Sequence, residues 1–255
     1  MTGVGRALGA LVLGSLLVLA GCTGSPPPGG TPATSPATST APPPSTVPPA
    51  ATPTTTPTFR FQALWPFADE AEAARWQSAY REGGHQPWHL DPGDTALGFA
   101  GALGLTGIDR VTSTEAGADE AWIGVGFALP DGRPTTAAVV HLARLGTGTD
   151  APWEAVGTRD TDLTLDIPAY GVRVSAPFTV GGQITGVDES LRVQVRAAGT
   201  AALLGQACCL PAGGERRRWS TTVGASGRGT ATVVVSTGGH VADVERFAVT
   251  AVLLG

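Results

Sequence analysis

Residues 23–58 read TGSPPPGGTPATSPATSTAPPPSTVPPAATPTTTPT, built almost wholly from Pro, Thr, Ser, Ala and Gly. Such a stretch has too little apolar surface to offset the entropy lost on ordering, so it is expected to remain extended or disordered. It therefore confines any packed core to the residues after it. Pro-rich chains favour polyproline II at about 3.1 Å per residue, which gives this one a reach of roughly 100 Å. Its composition also suits an O-glycosylated stalk.

The segment ahead of it is of a different kind. In MTGVGRALGALVLGSLLVLAGC, Arg6 is the one early charge, an apolar run extends from Ala7 to Leu19, and the small residues Ala20 and Gly21 follow. This is the layout of a secretory signal peptide. The run falls short of the about 20 apolar residues that a spanning helix needs. Leu19-Ala20-Gly21-Cys22 resembles the lipobox of bacterial lipoproteins. That resemblance implies cleavage before Cys22, diacylation of its thiol and a lipid bilayer as its partner. An ordinary cleaved signal with an incidental cysteine is the alternative. Residues 1–21 are thus expected to be the signal peptide and 22–58 a linker that lifts a folded body off the extracytoplasmic face of the membrane.

Composition excludes some roles. Every basic residue is Arg, with no Lys and no Asn, and the net charge is −5. A nucleic-acid binder normally presents a basic surface. The body after the linker changes character near Asp160, so a domain over 59–160 and another over 161–255 are expected, folding separately but packed together.

In the first, PFADEAEAARWQSAYREGG carries helix start and stop signals: Pro66 ahead, acids Asp69, Glu70 and Glu72 early, Arg81 late and Gly83 at the end. Ala73, Trp76 and Tyr80 fall on one face. A second helix is expected from about Asp94, with Leu97, Ala100 and Leu103 as its stripe and three glycines weakening it. AWIGVGFAL alternates as a strand with Ile123, Val125, Phe127 and Leu129 on one face. A turn at Pro130-Asp131-Gly132 leads to TTAAVVHLARL and then PWEAVGT. The expectation is an α+β layer, two helices on an antiparallel sheet.

The second part shows no helix pattern. In LRVQVRA, Leu191, Val193 and Val195 alternate with Arg192, Gln194 and Arg196. Roughly seven strands in about 90 residues predict a β-sandwich. YGVRVSAPFTVGGQITGVDESLRVQVR resembles the opening of the immunoglobulin-like module of bacterial spore-germination-type and related envelope lipoproteins, through Ser175, Pro177, Val180, Gly182, Gly186, Leu191, Val193 and Val195. The closing GGHVADVERFAVTAV departs from that family's acidic Asp-Gly hairpin. The resemblance implies an immunoglobulin-like fold and an envelope location, and no catalytic residues. The whole chain also resembles predicted actinobacterial envelope lipoproteins of unassigned function.

Few residues suggest chemistry. GGHQPWHLDP holds His85 and His89 four apart, with Asp91 beyond. Two such histidines bind zinc when a helix presents them on one face. Pro87 between them and the flanking Gly83, Gly84 and Pro92 place them in a loop, and a closed site needs about four ligands. The loop reading puts Trp88 in the core and leaves the imidazoles to hydrogen-bond or line the surface, with no metal. There is no G-x-S-x-G elbow and no phosphate-binding glycine loop, so no cofactor is expected. Asp160 and Asp162 read as a solvated turn, His141 as a structural strand residue, His240 as part of a Gly238-Gly239 turn, and Glu215–Trp219 (ERRRW) as a solvated strand edge.

With Cys22 lipidated, Cys208 and Cys209 have no partner but each other. Outside the membrane they can form a vicinal disulfide, and the alternative is two reduced, buried thiols. The expected function is non-catalytic binding or scaffolding, with an envelope protein or wall polymer as partner. The rivals are a metal-assisted hydrolase using His85, His89 and Asp91, and a small-molecule carrier with its cavity in the α+β part.

Overall fold

The computed structural model describes residues 59–255, and of 187–189 the backbone alone. The signal peptide, Cys22 and the linker lie outside the described residues. About half the chain is strand, with two α-helices.

Helix α1, Glu70–Gly83, begins where the Asp69 side chain accepts from the Glu72 amide, and ends where Gly84 turns left-handed (φ 69°) and donates to the Tyr80 carbonyl. Ala73 and Trp76 are its buried face, joined by Gln77. A 3-10 turn, Pro87–Leu90, leads into α2, Pro92–Ala102. Its buried face is Ala96, Phe99 and Ala100 with Thr95, continued by Leu103. The expected stripe is thus rotated, because Leu97 only flanks that core. Gly98 explains one of the three glycines: a Cβ there would lie 2.6 Å from the Trp65 ring packed against the helix.

Sheet 1 is a meander in the order β1-β2-β3-β4: β1 Arg110–Ala116, β2 Glu120–Ala128, β3 Pro134–Arg144 and β4 Trp153–Arg159. Sheet 2 has the order β5-β9-β8-β6-β7: β5 Val172–Val174, β6 Phe178–Ala197, β7 Leu203–Val223, β8 Gly229–Gly238 and β9 Arg246–Leu254. Only β5 runs parallel to its neighbour. Five strands replace the expected seven, because short runs fuse. FTVGGQI and SLRVQVRA form the single strand β6, and AALLGQACCL continues through ERRRW into β7. The first half of β6 is bridged by Leu163 and Ile167, while its second half pairs with β8.

Strands β8 and β9 are covered on both faces, which explains their nearly continuous apolar sequences. On one side Val234, Phe247, Val249 and Ala251 pack with Phe99 and Leu103 of the α2 region and with Ile123, Val125 and Leu142 of sheet 1. On the other side Val233, Val235, Ala248 and Val252 meet Val180, Ile184, Val193 and Trp219 of the β6–β7 hairpin. The division expected at 160/161 is therefore where the chain passes from one sheet to the other. The core continues across it, and residues 59–255 lie in one compact unit. No helix among the described residues is long and apolar enough to cross a membrane.

Candidate functional site

The histidine-rich loop is arranged differently from expectation. His89, not Trp88, enters the interior: it is 3 % exposed, and its ring lies 3.6 Å from Trp88, 4.9 Å from Trp76 and 5.0 Å from Phe67. Trp88 is only partly buried and stacks on Trp65. Both rings lie on the 3-10 turn Pro87–Leu90, of which His89 is the buried residue. Burial lowers the pKa of His89 to about 4, so it is neutral at pH 7. Asp91 spends its carboxylate on capping α2, accepting from the Asp94 amide at 2.8 Å. His85 is exposed beside Gly83. Among the described residues no three His, Cys, Asp or Glu are grouped to hold a metal ion, and these three are no exception.

A more developed arrangement surrounds His141. Trp122 on β2 and His141 on β3 are directly opposed, and their rings stack at 3.8 Å and 6°. Phe61 meets the imidazole edge-on at 5.0 Å, and the Arg159 guanidinium lies over the Trp122 ring at 4.6 Å. The Nε2 of His141 lies 2.8 Å from a Glu120 oxygen. Glu120 is also ion-paired with Arg60. Burial, together with Arg60 and Arg159, pulls the pKa of His141 down to about 4. Arg60 thereby offsets the pull that Glu120 would exert towards the cation. A neutral ring that faces a carboxylate carries its proton on Nε2, which leaves Nδ1 as an acceptor.

Opposite His141 on β4 stands Gly157. The missing side chain opens a cavity of about 300 Å³ where the edge of β4 meets β9. Phe61, His141, Thr158 and Tyr170 line it, with the exposed carboxylates of Asp160 and Asp166 at its margin. Two of its hydroxyls take backbone amides: Tyr170 accepts from the Gln62 amide at 2.8 Å, and Thr158 accepts from the Val249 amide at 2.8 Å. Phe61 also lines a neighbouring cavity of about 550 Å³ with Arg60, Glu120 and Arg144.

Another ionisable group is sealed away from both. Glu154 is fully buried, with one oxygen accepting from the Phe67 amide at 3.1 Å and the other without a partner. Burial raises its pKa well above the usual carboxylate range.

Cys208 and Cys209 are bonded to each other, with Sγ–Sγ 2.17 Å, and they are exposed rather than buried. Asp162 lies 3.8 Å from Arg246, and Arg216–Arg218 are exposed on the edge strand β7. His240 lies in the turn before β9, its amide donating to Glu245 at 3.0 Å. Glu120, Phe61 and Tyr170 carried no sequence signal as site residues. The β2–β3 pairing could have linked Glu120 to His141, since the hairpin turn at Pro130–Gly132 sets the register. No known protein family, curated protein or solved structure matches the chain.

Proposed function

We propose that the chain is a cell-envelope lipoprotein, held to the membrane through acylated Cys22, whose folded unit binds a ligand rather than transforms one. The observation that carries the binding reading is the cavity beside His141. Its volume of about 300 Å³ suits a small molecule. Its aromatic walls, Phe61 and Tyr170, offer area at little entropic cost. Among the described residues the His141 imidazole is hydrogen-bonded to Glu120 and to neither the Thr158 nor the Tyr170 hydroxyl, so no nucleophile–base pair supports a catalytic reading. Asp160 and Asp166 at the margin favour a ligand with a cationic or hydrogen-bond-donating end and an apolar body. This is the carrier form of the binding role, sited between the two sheets rather than within the α+β part. A protein or wall-polymer partner remains compatible with the same anchored unit.

The kinship with the immunoglobulin-like module belongs to the same proposal. The apolar layer between β8–β9 and the β6–β7 hairpin supports it, as does the alternation of Leu191, Val193 and Val195, all buried.

Two measurements test the proposal. Cys22→Ala should leave the protein unprocessed or release it from membranes, and normal cleavage with full membrane retention would remove the anchor. Thermal-shift screening of the full chain against primary and quaternary amines with apolar substituents should find stabilisers whose effect is lost in Asp160→Asn/Asp166→Asn. No stabiliser, or stabilisers indifferent to both substitutions, would refute this ligand class.

A further inference from the structure

The exposed disulfide lines a third cavity, which shares no wall residue with the cavity beside His141. Register explains its position. On β6–β7, Leu191 pairs with Leu210 and Val193 with Ala207, so Arg192 alone faces two residues, Cys208 and Cys209. This is a β-bulge, a device that re-aims side chains and gathers next to functional sites. Cys209 takes the left-handed conformation (φ 69°) within it. On its other edge β6 pairs Ser190 with Gly238 and Arg192 with Ser236. A cavity of about 310 Å³ lies over this patch, between sheet 2 and the Gly104–Thr106 loop after α2.

The lining combines three chemistries. The two bonded sulfurs give a polarizable, uncharged wall without a hydrogen-bond donor, suited to a C–H surface. Arg192 is exposed and forms no ion pair or hydrogen bond among the described residues, although a guanidinium fork matches a carboxylate. Ser190, Gln194, Thr106 and Asp243 supply hydroxyl, amide and carboxylate groups around them. An apolar wall, a ring of donors and acceptors and one uncommitted cation together describe a hydroxylated ring that carries an acid group.

We propose that this cavity is a binding site for an acidic saccharide, with the ring's C–H face against the Cys208–Cys209 disulfide, the carboxylate on Arg192 and the hydroxyls on Asp243, Gln194 and Ser190. The site does not depend on the His141 cavity or its ligand.

Saturation-transfer difference NMR on the full chain, with D-glucuronic acid, N-acetylmuramic acid and neutral glucose as probes, tests it. Both acids should give saturable signals, strongest at ring C–H protons, with affinity about tenfold above glucose, the ratio expected for one charge-assisted contact. Arg192→Gln should erase the preference for the acids. Cys208→Ser/Cys209→Ser, and reduction with a phosphine, should weaken all three sugars, while Asp160→Asn/Asp166→Asn should change none. Absence of saturable signal from both acids would overturn the proposal. So would an acid preference that survives Arg192→Gln, or binding indifferent to loss of the disulfide in a variant that retains the parent's circular dichroism.

Discussion

Replacing His89 by Phe should flatten the acid side of the stability profile. The imidazole is 3 % exposed, enclosed by Trp88, Trp76 and Phe67, and its Nδ1 has no partner. Burial lowers its pKa from 6.5 to about 4. Above pH 6.5 the ring is neutral in folded and unfolded chains alike, and the full stability is present. As pH falls below 6.5 the unfolded ring takes a proton that the folded ring refuses, so stability drops until the folded ring also titrates near pH 4. At about 1.4 kcal/mol per pH unit the loss across this window is about 3 kcal/mol. Phe keeps a ring of similar shape, needs no partner for a buried nitrogen and does not titrate. Near pH 7 it should change stability by less than about 1.5 kcal/mol. Urea unfolding followed by tryptophan fluorescence, repeated from neutral pH down to about pH 4.5, gives both curves. His141 titrates in the same direction in both proteins, so it cancels in the difference. The advantage of the variant should therefore grow by about 2 kcal/mol or more across the range. Parallel curves would mean that His89 is hydrated or paired in the folded protein, and the reasoning would fail.

Glu154→Gln should act with the opposite sign. The folded carboxyl holds its proton while the unfolded one ionises above about 4.5, so wild-type stability falls as pH rises through that value, and the Gln variant should lack that slope of about 1.4 kcal/mol per unit in the same urea series. A fragment of residues 161–255 should be molten or insoluble by circular dichroism and dye binding. It would expose Val234, Phe247 and Val249, at about 1.5–3 kcal/mol each, against a typical total stability of about 5–15 kcal/mol. A cooperative, soluble fragment would show instead that sheet 2 stands alone. Cys208→Ser/Cys209→Ser should melt within a few degrees of the parent by calorimetry, because a cross-link between adjacent residues scarcely restricts the unfolded chain.

Local signals in the sequence translated well where one short stretch carried all the information. Asp69 and the glycines at 83 and 84 bound α1, and Leu191, Val193 and Val195 lie buried as their alternation requires. Failures arose where neighbours decide. β1, RVTSTEA, lies at a sheet edge with mostly exposed side chains, so it has no apolar alternation to read. The runs ending in GGQI and beginning at SLRVQVRA read as separate strands, yet β6 continues from one into the other with irregular pairing around Gly186. Gly182 lies where a Cβ would fall 2.1 Å from the Thr164 carbonyl oxygen, a close approach visible only once that strip is in place. The core shared across position 160 was hidden for a similar reason: β9 reads as apolar throughout, which does not say whether its second face meets another sheet. His141 and Glu120 lie 21 residues apart and meet only through β2–β3 pairing. The arginine facing the cysteine pair likewise depends on a bulge that spacing alone does not reveal.

Native mass spectrometry of the full chain released from its own membranes tests the central claim most directly, because one spectrum reads both the anchor and the ligand. The account predicts a polypeptide that begins at Cys22 and carries a diacylglyceryl group, together with a dissociable small-molecule adduct that is missing from a Gly157→Leu variant, whose added side chain fills the space beside His141. An unacylated N-terminus, or a wild-type protein with no adduct beyond that found on Gly157→Leu, would contradict it.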